Sequence, residues 1–371
     1  MVSKINIQKR NRWIVSGIVC TIIIVALATT IFFTSIIEEI FKLRPGLNTI
    51  DETSLEVHFV DVGQGDAILI RFPNEETMLV DAGPSRSFDY LENYINNVFF
   101  KNGEEKSFDY VLLTHGDADH SGGMLDILKK YPVELFYRPA ITTEQQGTQT
   151  YENVLDKLIS LQASGETSVV TSIAGITIKN GDDNIIEFLS PIESYYQDSN
   201  DYSPILILNY CGEKIMLTGD AGSGIEDNIL EEFTSSSRLD ELDVDVLKVS
   251  HHGSSNASSL SFLEAVKPEY AVISVALQNS YNHPSDITIS NLIETGTDEI
   301  YKTSKKGNII CYINEGEEID FLFVQNADSY IYVDWYIIVI VLIFCTIITF
   351  FILNIKHGKP NINKRKKGKI S

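Results

Sequence analysis

Leu113-Thr114-His115-Gly116-Asp117-Ala118-Asp119-His120-Ser121-Gly122-Gly123-Met124 is the stretch on which the reading of this chain turns. It places four metal-ligand side chains, His115, Asp117, Asp119 and His120, within six positions. An apolar β-like run at 110–113 precedes it and a helix-like run at 124–130 follows. A strand that ends in a ligand-rich turn and feeds a helix presents several donors to one point. Imidazole nitrogens and carboxylate oxygens are what zinc, iron or manganese select. The whole chain has seven histidines, so two in one short turn weigh against a polar loop with chance imidazoles.

Two further donor sources lie downstream, each past a β-like run. Ile215-Met216-Leu217-Thr218-Gly219-Asp220 ends in a carboxylate, and Val246-Leu247-Lys248-Val249-Ser250-His251-His252-Gly253-Ser254 supplies two imidazoles. An Asp after Gly is, alone, most often a turn residue. Three such pieces in order on a β-rich chain read as one divided site. If they converge, one ion takes His115 and Asp117. A second takes Asp119, His120 and either His251 or His252, and Asp220 bridges the two. Two such cations, about 3.5–4 Å apart, polarise a phosphoryl or carbonyl oxygen and supply hydroxide at neutral pH.

Working outward, strands are expected at 55–62 and 67–72, joined by the hairpin signal Gly63-Gln64-Gly65-Asp66, and at 77–80. Further strands are expected at 168–178, 184–189, 205–210, 214–217, 244–249, 270–275, 309–313 and 319–323. Helices are expected at 88–100, 123–130, 153–163, 225–233 and 287–295. Strands in two blocks with helices between them predict a layered α/β domain, sheet against sheet with helices outside. The domain is placed at 55–325.

Charge is arranged by position. All 51 acidic residues lie between Glu38 and Asp334, with only 18 of the 29 basic ones, so this middle region has a formal charge of −33. Residues 1–12 and 356–371 are basic flanks. Between flanks and middle, residues 13–37 and 335–355 carry no charge, and each exceeds the ~20 residues that cross a bilayer core as a helix. Trp13, Trp335 and Tyr336 sit at their ends, where aromatic belts form. We expect two single transmembrane helices, an uncleaved anchor rather than a signal peptide at the first, and a linker at 38–54. Lys and Arg favour the cytoplasmic side, which puts both termini inside the cell membrane and the acidic domain outside. Cys211 and Cys311 read as two thiols of the domain, and no cysteine cluster suggests a zinc finger.

The order of motifs resembles the metallo-β-lactamase fold, a four-layer αββα sandwich. The local sequence resembles the soluble domain of ComEC-type competence (DNA-uptake) proteins. That resemblance rests on Asp61-Val62-Gly63-Gln64-Gly65-Asp66, Asp81-Ala82-Gly83, the 115–120 cluster, Thr218-Gly219-Asp220, the 247–254 run and Tyr281-Asn282-His283-Pro284. It covers about 55–323. It implies that Asp119 both binds metal and orients the attacking water. It implies that Asp81 braces the ligand loop by hydrogen bonding. Asp61 and Asp66 are assigned to shaping the rim of the site, and His283 to contacting substrate phosphate. His58 is read as bland.

Three departures qualify it. Many superfamily members supply another histidine before the Gly-Asp motif, but this chain has none between His120 and His251. Asp198, Asn200 or Asp201, or water, would take that place. One ion would then be more oxygen-bound, which favours manganese over a pure zinc site. Two single anchors do not form the multi-span channel of a full competence protein, so DNA import by this chain alone is not expected. Asp117 stands where the wider superfamily has a second histidine.

The expected function is that of an outward-facing, metal-dependent phosphodiesterase or nuclease. A cell-surface phosphodiester such as teichoic-acid phosphorylcholine, a small nucleotide, and a non-catalytic surface binding module are the alternatives. The charge argues against tight duplex binding, which rests on Lys and Arg.

Overall fold

Period-two alternation builds the first sheet. In β1 (Leu55–Phe59), Leu55, Val57 and Phe59 point into the core between two sheets. In β2 (Ile68–Arg71) and β3 (Thr77–Val80), Ile68, Ile70, Met78 and Val80 point the same way, whereas Leu69 and Leu79 face the outer helices. Burial on both faces explains the nearly continuous apolar character of β2 and β3, whereas β1 turns the buried polar side chains of Glu56 and His58 toward the outer helices, where His58 meets Tyr94. The computed structural model describes residues 50, 53–100, 105–141, 148–179, 184–314 and 316–324. The expected spans at 13–37 and 335–355, both basic flanks and nearly all of the 38–54 linker lie outside them. Among the described residues, no helix is long and apolar enough to cross a membrane.

Eight strands form the first sheet in the order β15-β14-β1-β2-β3-β4-β5-β6, where β4 is Phe108–Leu112, β5 Val133–Arg138, β6 Ser168–Thr171, β14 Asn308–Ile313 and β15 Asp320–Val324. Seven form the second in the order β13-β12-β11-β10-β9-β8-β7. Here β7 is Thr177–Lys179, β8 Asn184–Phe188, β9 Leu206–Tyr210, β10 Glu213–Leu217, β11 Val246–Lys248, β12 Tyr270–Ile273 and β13 Glu299–Lys302. Helices α1 (Phe88–Tyr94), α3 (Met124–Lys130) and α4 (Gln149–Ser164) bury their apolar faces on the first sheet, with the short α2 (Ala118–Ser121) among them. Helices α5 (Ser223–Ser235), α6 (Leu260–Val266) and α7 (Asp286–Glu294) cover the second. The layers are therefore αββα, as expected.

The expected strand at 168–178 is two strands in different sheets. β6 lies at the edge of the first and β7 at the edge of the second. Gly175, at φ +86°, makes the intervening turn, a conformation that glycine adopts without steric cost. The chain changes sheets here.

Each sheet is half parallel. β3, β4, β5 and β6 run together in one, and β10, β11, β12 and β13 in the other. Parallel strands share one carboxyl edge, the usual place for ligands in α/β sheets. Asp81 follows β3, Thr114 and His115 follow β4, Asp220 follows β10, His251 and His252 follow β11, and Ser274 follows β12. Register brings Val80 opposite Leu112 and Leu217 opposite Lys248, so these ends are level. β15 also finishes at this edge: Val324 pairs with Asn308, whose side-chain amide donates to the Val324 carbonyl and whose Oδ1 accepts from Asp61 N.

Candidate metal centre

Asp81 organises the centre from beneath. It is fully buried at φ +57°. Its Oδ1 accepts from Thr114 N at 2.8 Å, and its Oδ2 accepts from Thr114 Oγ1 at 2.7 Å and from His120 Nδ1 at 2.6 Å. Thr114 Oγ1 has thereby spent its proton, so the 3.0 Å contact with His115 Nδ1 requires that imidazole to donate. His252 Nδ1 lies 2.8 Å from the Ser274 carbonyl, which can only accept. All three histidines therefore carry their protons on Nδ1, and each leaves an Nε2 lone pair directed at the same space.

These lone pairs lack a protein donor. His115 Nε2 and Asp220 Oδ1 are buried without a hydrogen-bond partner. His120 Nε2 and His252 Nε2 face each other at 3.3 Å, where two acceptors repel unless positive charge lies between or beside them. Asp220 sits at the middle: its Oδ1 is 3.3 Å from His120 Nε2, and its Oδ2 is 3.6 Å from His252 Nε2, 3.7 Å from His251 Nε2 and 3.9 Å from His115 Nε2. His115, His120 and Asp220 offer atoms all within 4.8 Å of one another, as do Asp119, His120 and His252. A divalent cation fits this donor chemistry.

The electrostatics agree. Burial alone would depress the His120 pKa, but Asp220 and Asp81 outweigh it and raise it well above the imidazole range. Burial likewise opposes the charge on Asp220, yet His120 and His252 hold its carboxyl well below the usual range. His252 is raised against burial, chiefly by Asp220. His115, governed by burial and the neighbouring His120, is lowered. The pocket demands positive charge, which protons or metal ions can supply.

The remaining expected residues divide clearly. Asp119 Oδ2 is 3.5 Å from His252 Nε2. Burial would raise the Asp119 carboxyl, but the hydrogen bond to His252 and the charge of His120 hold it at about 2. Its side chain stays 30% exposed. Asp117 Oδ2 lies 3.9 Å from His115 Nε2 on the open side. His251 is at the edge, with its ring 5.8 Å from that of His283. Asp61 accepts from Gly63 N and shapes a turn at the rim.

Asp66 is not a rim residue. It is fully buried, its Oδ2 2.7 Å from the equally buried Lys248 Nζ and its Oδ1 3.8 Å from His252 Nδ1. Burial would neutralise it, but Lys248 and then His252 keep its pKa low. The backbone hydrogen bond from Gly83 N to Asp66 O helps to hold it inside. Asn200 makes no bond to the cluster among the described residues; its N donates to Asp198 Oδ1, and Asp201 Oδ1 accepts from Gly222 N. The 200–203 turn instead contributes Ser203, whose Oγ is 3.4 Å from His115 Nδ1 and accepts from Asp220 N at 3.3 Å.

Thr114, Ser203, Lys248 and Ser274 escaped the sequence reading. A lysine inside an apolar strand, in Leu247-Lys248-Val249, was the one available signal, because a lysine so placed needs a buried carboxylate.

A family model of the metallo-beta-lactamase superfamily matches residues 60–276. The chain is 27% identical over 272 residues to ComE operon protein 3 of Bacillus subtilis (strain 168), covering 68% of this chain and 32% of that protein. It is 27% identical over 265 residues to competence protein ComA of Neisseria gonorrhoeae, covering 70% and 32%. It thus spans about a third of the length of these curated relatives. Among solved structures, it is similar to Igni18, a metallo hydrolase from the archaeon Ignicoccus hospitalis KIN4/I, at a TM-score of 0.43 and 15% identity over 74% of this chain and 100% of that one. The chain belongs to the metallo-β-lactamase superfamily, as a metal-dependent hydrolase related to competence proteins.

Proposed function

We propose that this protein is a membrane-anchored, outward-facing phosphodiesterase. The observation that carries the reading is the convergence of three Nε2 lone pairs on Asp220, at the mouth of which Asp119 stays open to solvent and ionised. Two divalent cations, zinc or manganese, are the cofactors that suit it. His115, Asp117 and Asp220 would hold one. Asp119, His120, His252 and Asp220 would hold the other. The burial and fixed tautomer of His252 favour it over His251. Bound there, the ions supply Lewis-acid polarisation of a phosphoryl oxygen and lower the pKa of water. Asp119 orients the attacking water, and His283 contacts the substrate phosphate. Asp81 and Ser274 hold the imidazoles in the ligating tautomer. The leaving oxygen takes its proton from water or a neighbouring histidine.

The substrate is a phosphodiester of a nucleic acid or of a cell-surface polymer. The anchoring and orientation rest on the uncharged stretches 13–37 and 335–355 and on the basic flanks.

The test is metal content by mass spectrometry together with hydrolysis of bis(p-nitrophenyl) phosphate. The wild type should hold about two ions and turn over. Asp220→Ala should lose metal, and Asp119→Ala should fall by about 10²-fold or more. Equal background rates in wild type and Asp119→Ala would instead assign a surface binding module.

A further inference from the structure

Beside the metal centre, the loop between β12 and α7 carries an aromatic ring that the reaction has not used. Tyr281 is 64% exposed and lies parallel to His283, with ring centroids 5.6 Å apart and planes 16° apart. His283 in turn meets the ring of His251, whose Nε2 is 3.7 Å from Asp220 Oδ2. One face of Tyr281 is backed by the His283 imidazole, itself one ring contact from His251 at the edge of the donor cluster, and the tyrosine ring remains exposed.

The loop is rigidly held. Asn279 Oδ1 accepts from Tyr281 N and His283 N, and its Nδ2 donates to the Ala276 and His283 carbonyls. Ser285 N donates to Gly253 O. A Cβ on Gly253 would lie 2.5 Å from Pro284 Cβ, so the loop presses directly on the His251–Gly253 turn. An amide with every hydrogen-bonding direction engaged fixes a segment that nonetheless leaves Tyr281 and Leu277, 75% exposed, in water. A fixed, exposed, flat face at the mouth of a site is a surface for a flat ligand.

We propose that Tyr281 is the stacking subsite for an unpaired nucleobase next to the phosphodiester that is cleaved. The inference rests on the phosphodiesterase reading and narrows its substrate. Stacking on an aromatic ring tolerates any base, because every base has a π-face, and its energy comes from the base rather than from neutralising phosphates, so it stays available in a region of formal charge −33. A base within a duplex already has both faces covered, so the subsite selects single strands. A choline-bearing polymer offers no flat group. Its ammonium would call for a cage of several rings, whereas Tyr281 presents a single plane.

The experiment measures fluorescence anisotropy with the full-length chain in detergent. The probes are a labelled oligothymidylate of about ten nucleotides, an abasic oligomer of the same length, and free phosphorylcholine as competitor. Tyr281→Ala should weaken oligothymidylate binding about tenfold, and Tyr281→Phe should restore it. The difference between wild type and Tyr281→Ala should vanish on the abasic oligomer. Equal weakening on both oligomers, no weakening on either, or competition by phosphorylcholine that depends on Tyr281 would overturn the proposal. Hydrolysis is scored separately. A wild type that cleaves neither oligomer defeats the phosphodiesterase reading, while the anisotropy still decides the stacking.

Discussion

Asp81 sets two imidazoles at once, one directly and one through the hydroxyl of Thr114. A consequence at the residue scale is a pH signature of the metal-free protein. His120 and His252 have raised pKa values, so their protonation stabilises the fold fully below the ordinary imidazole value of about 6.5. That contribution is lost as pH rises through the raised values. Asp119 and Asp220, both lowered, contribute above the ordinary carboxylate range and lose it only as pH falls through their depressed values. His115, lowered, acts only on the acid side. Stripped of metal, the protein should therefore lose thermal stability from about pH 6.5 upward. With metal present, the needed charge no longer depends on protons, and the loss should shrink. Melting curves with and without chelator check this; a metal-free Tm that climbs between neutral and alkaline pH contradicts it. At this scale the His-Asp cluster was legible because its donors are adjacent in sequence. Ser203 and Ser274 were not, because a serine hydroxyl or a backbone carbonyl becomes a tautomer-fixing partner only through tertiary placement.

Elements bring these residues together by close backbone approach. The 63–66 turn packs on the first turn of α2: Asp66 N donates to Asp119 O, and a Cβ on Gly65 would overlap that carbonyl oxygen. Gly65 also holds φ +139°, which side chains other than glycine's adopt only with strain. Gly65→Ala should cost about 1–3 kcal/mol of stability from the overlap, more with the strain. It should also lower turnover by displacing Asp119, with melting temperature and kcat as the measurements. An unchanged Tm would mean that the turn is looser than its packing indicates. The hairpin signal at Gly63-Gln64-Gly65-Asp66 was readable, but what it packs against was not, so Asp66 was placed at the rim rather than beside Lys248. Residues 168–178 read as one strand because Ser168–Thr171 and Thr177–Lys179 are both β-prone, and within the five residues between them only Gly175 signals a turn. Helix α6 was missed because its start depends on Ser259 accepting from Phe262 N, a capping signal that is weak among so many serines.

For the whole molecule, charge dominates. A region of formal charge −33 repels a polyanion over a Debye length. Raising salt from about 0.05 to 0.2 M should lower KM for an oligonucleotide and leave KM for bis(p-nitrophenyl) phosphate nearly unchanged. Steady-state kinetics across that range decide it. A KM that rises with salt, as for basic nucleic-acid binders, would contradict the electrostatic reading. The alternation of apolar strands and helices made the layered architecture readable. The register that levels the strand ends was not, because it depends on pairing between residues far apart in sequence.

β15 ends level with the donor cluster, at Val324 beside Asn308 and Asp61. Ten residues separate it from Trp335, where the second uncharged stretch begins. Fully stretched they reach roughly 33–36 Å. With that stretch anchored in lipid, the catalytic opening works on a short leash. Under the anchored, outward-facing reading proposed above, that leash would direct it to polymers lying along the cell surface rather than in the open medium.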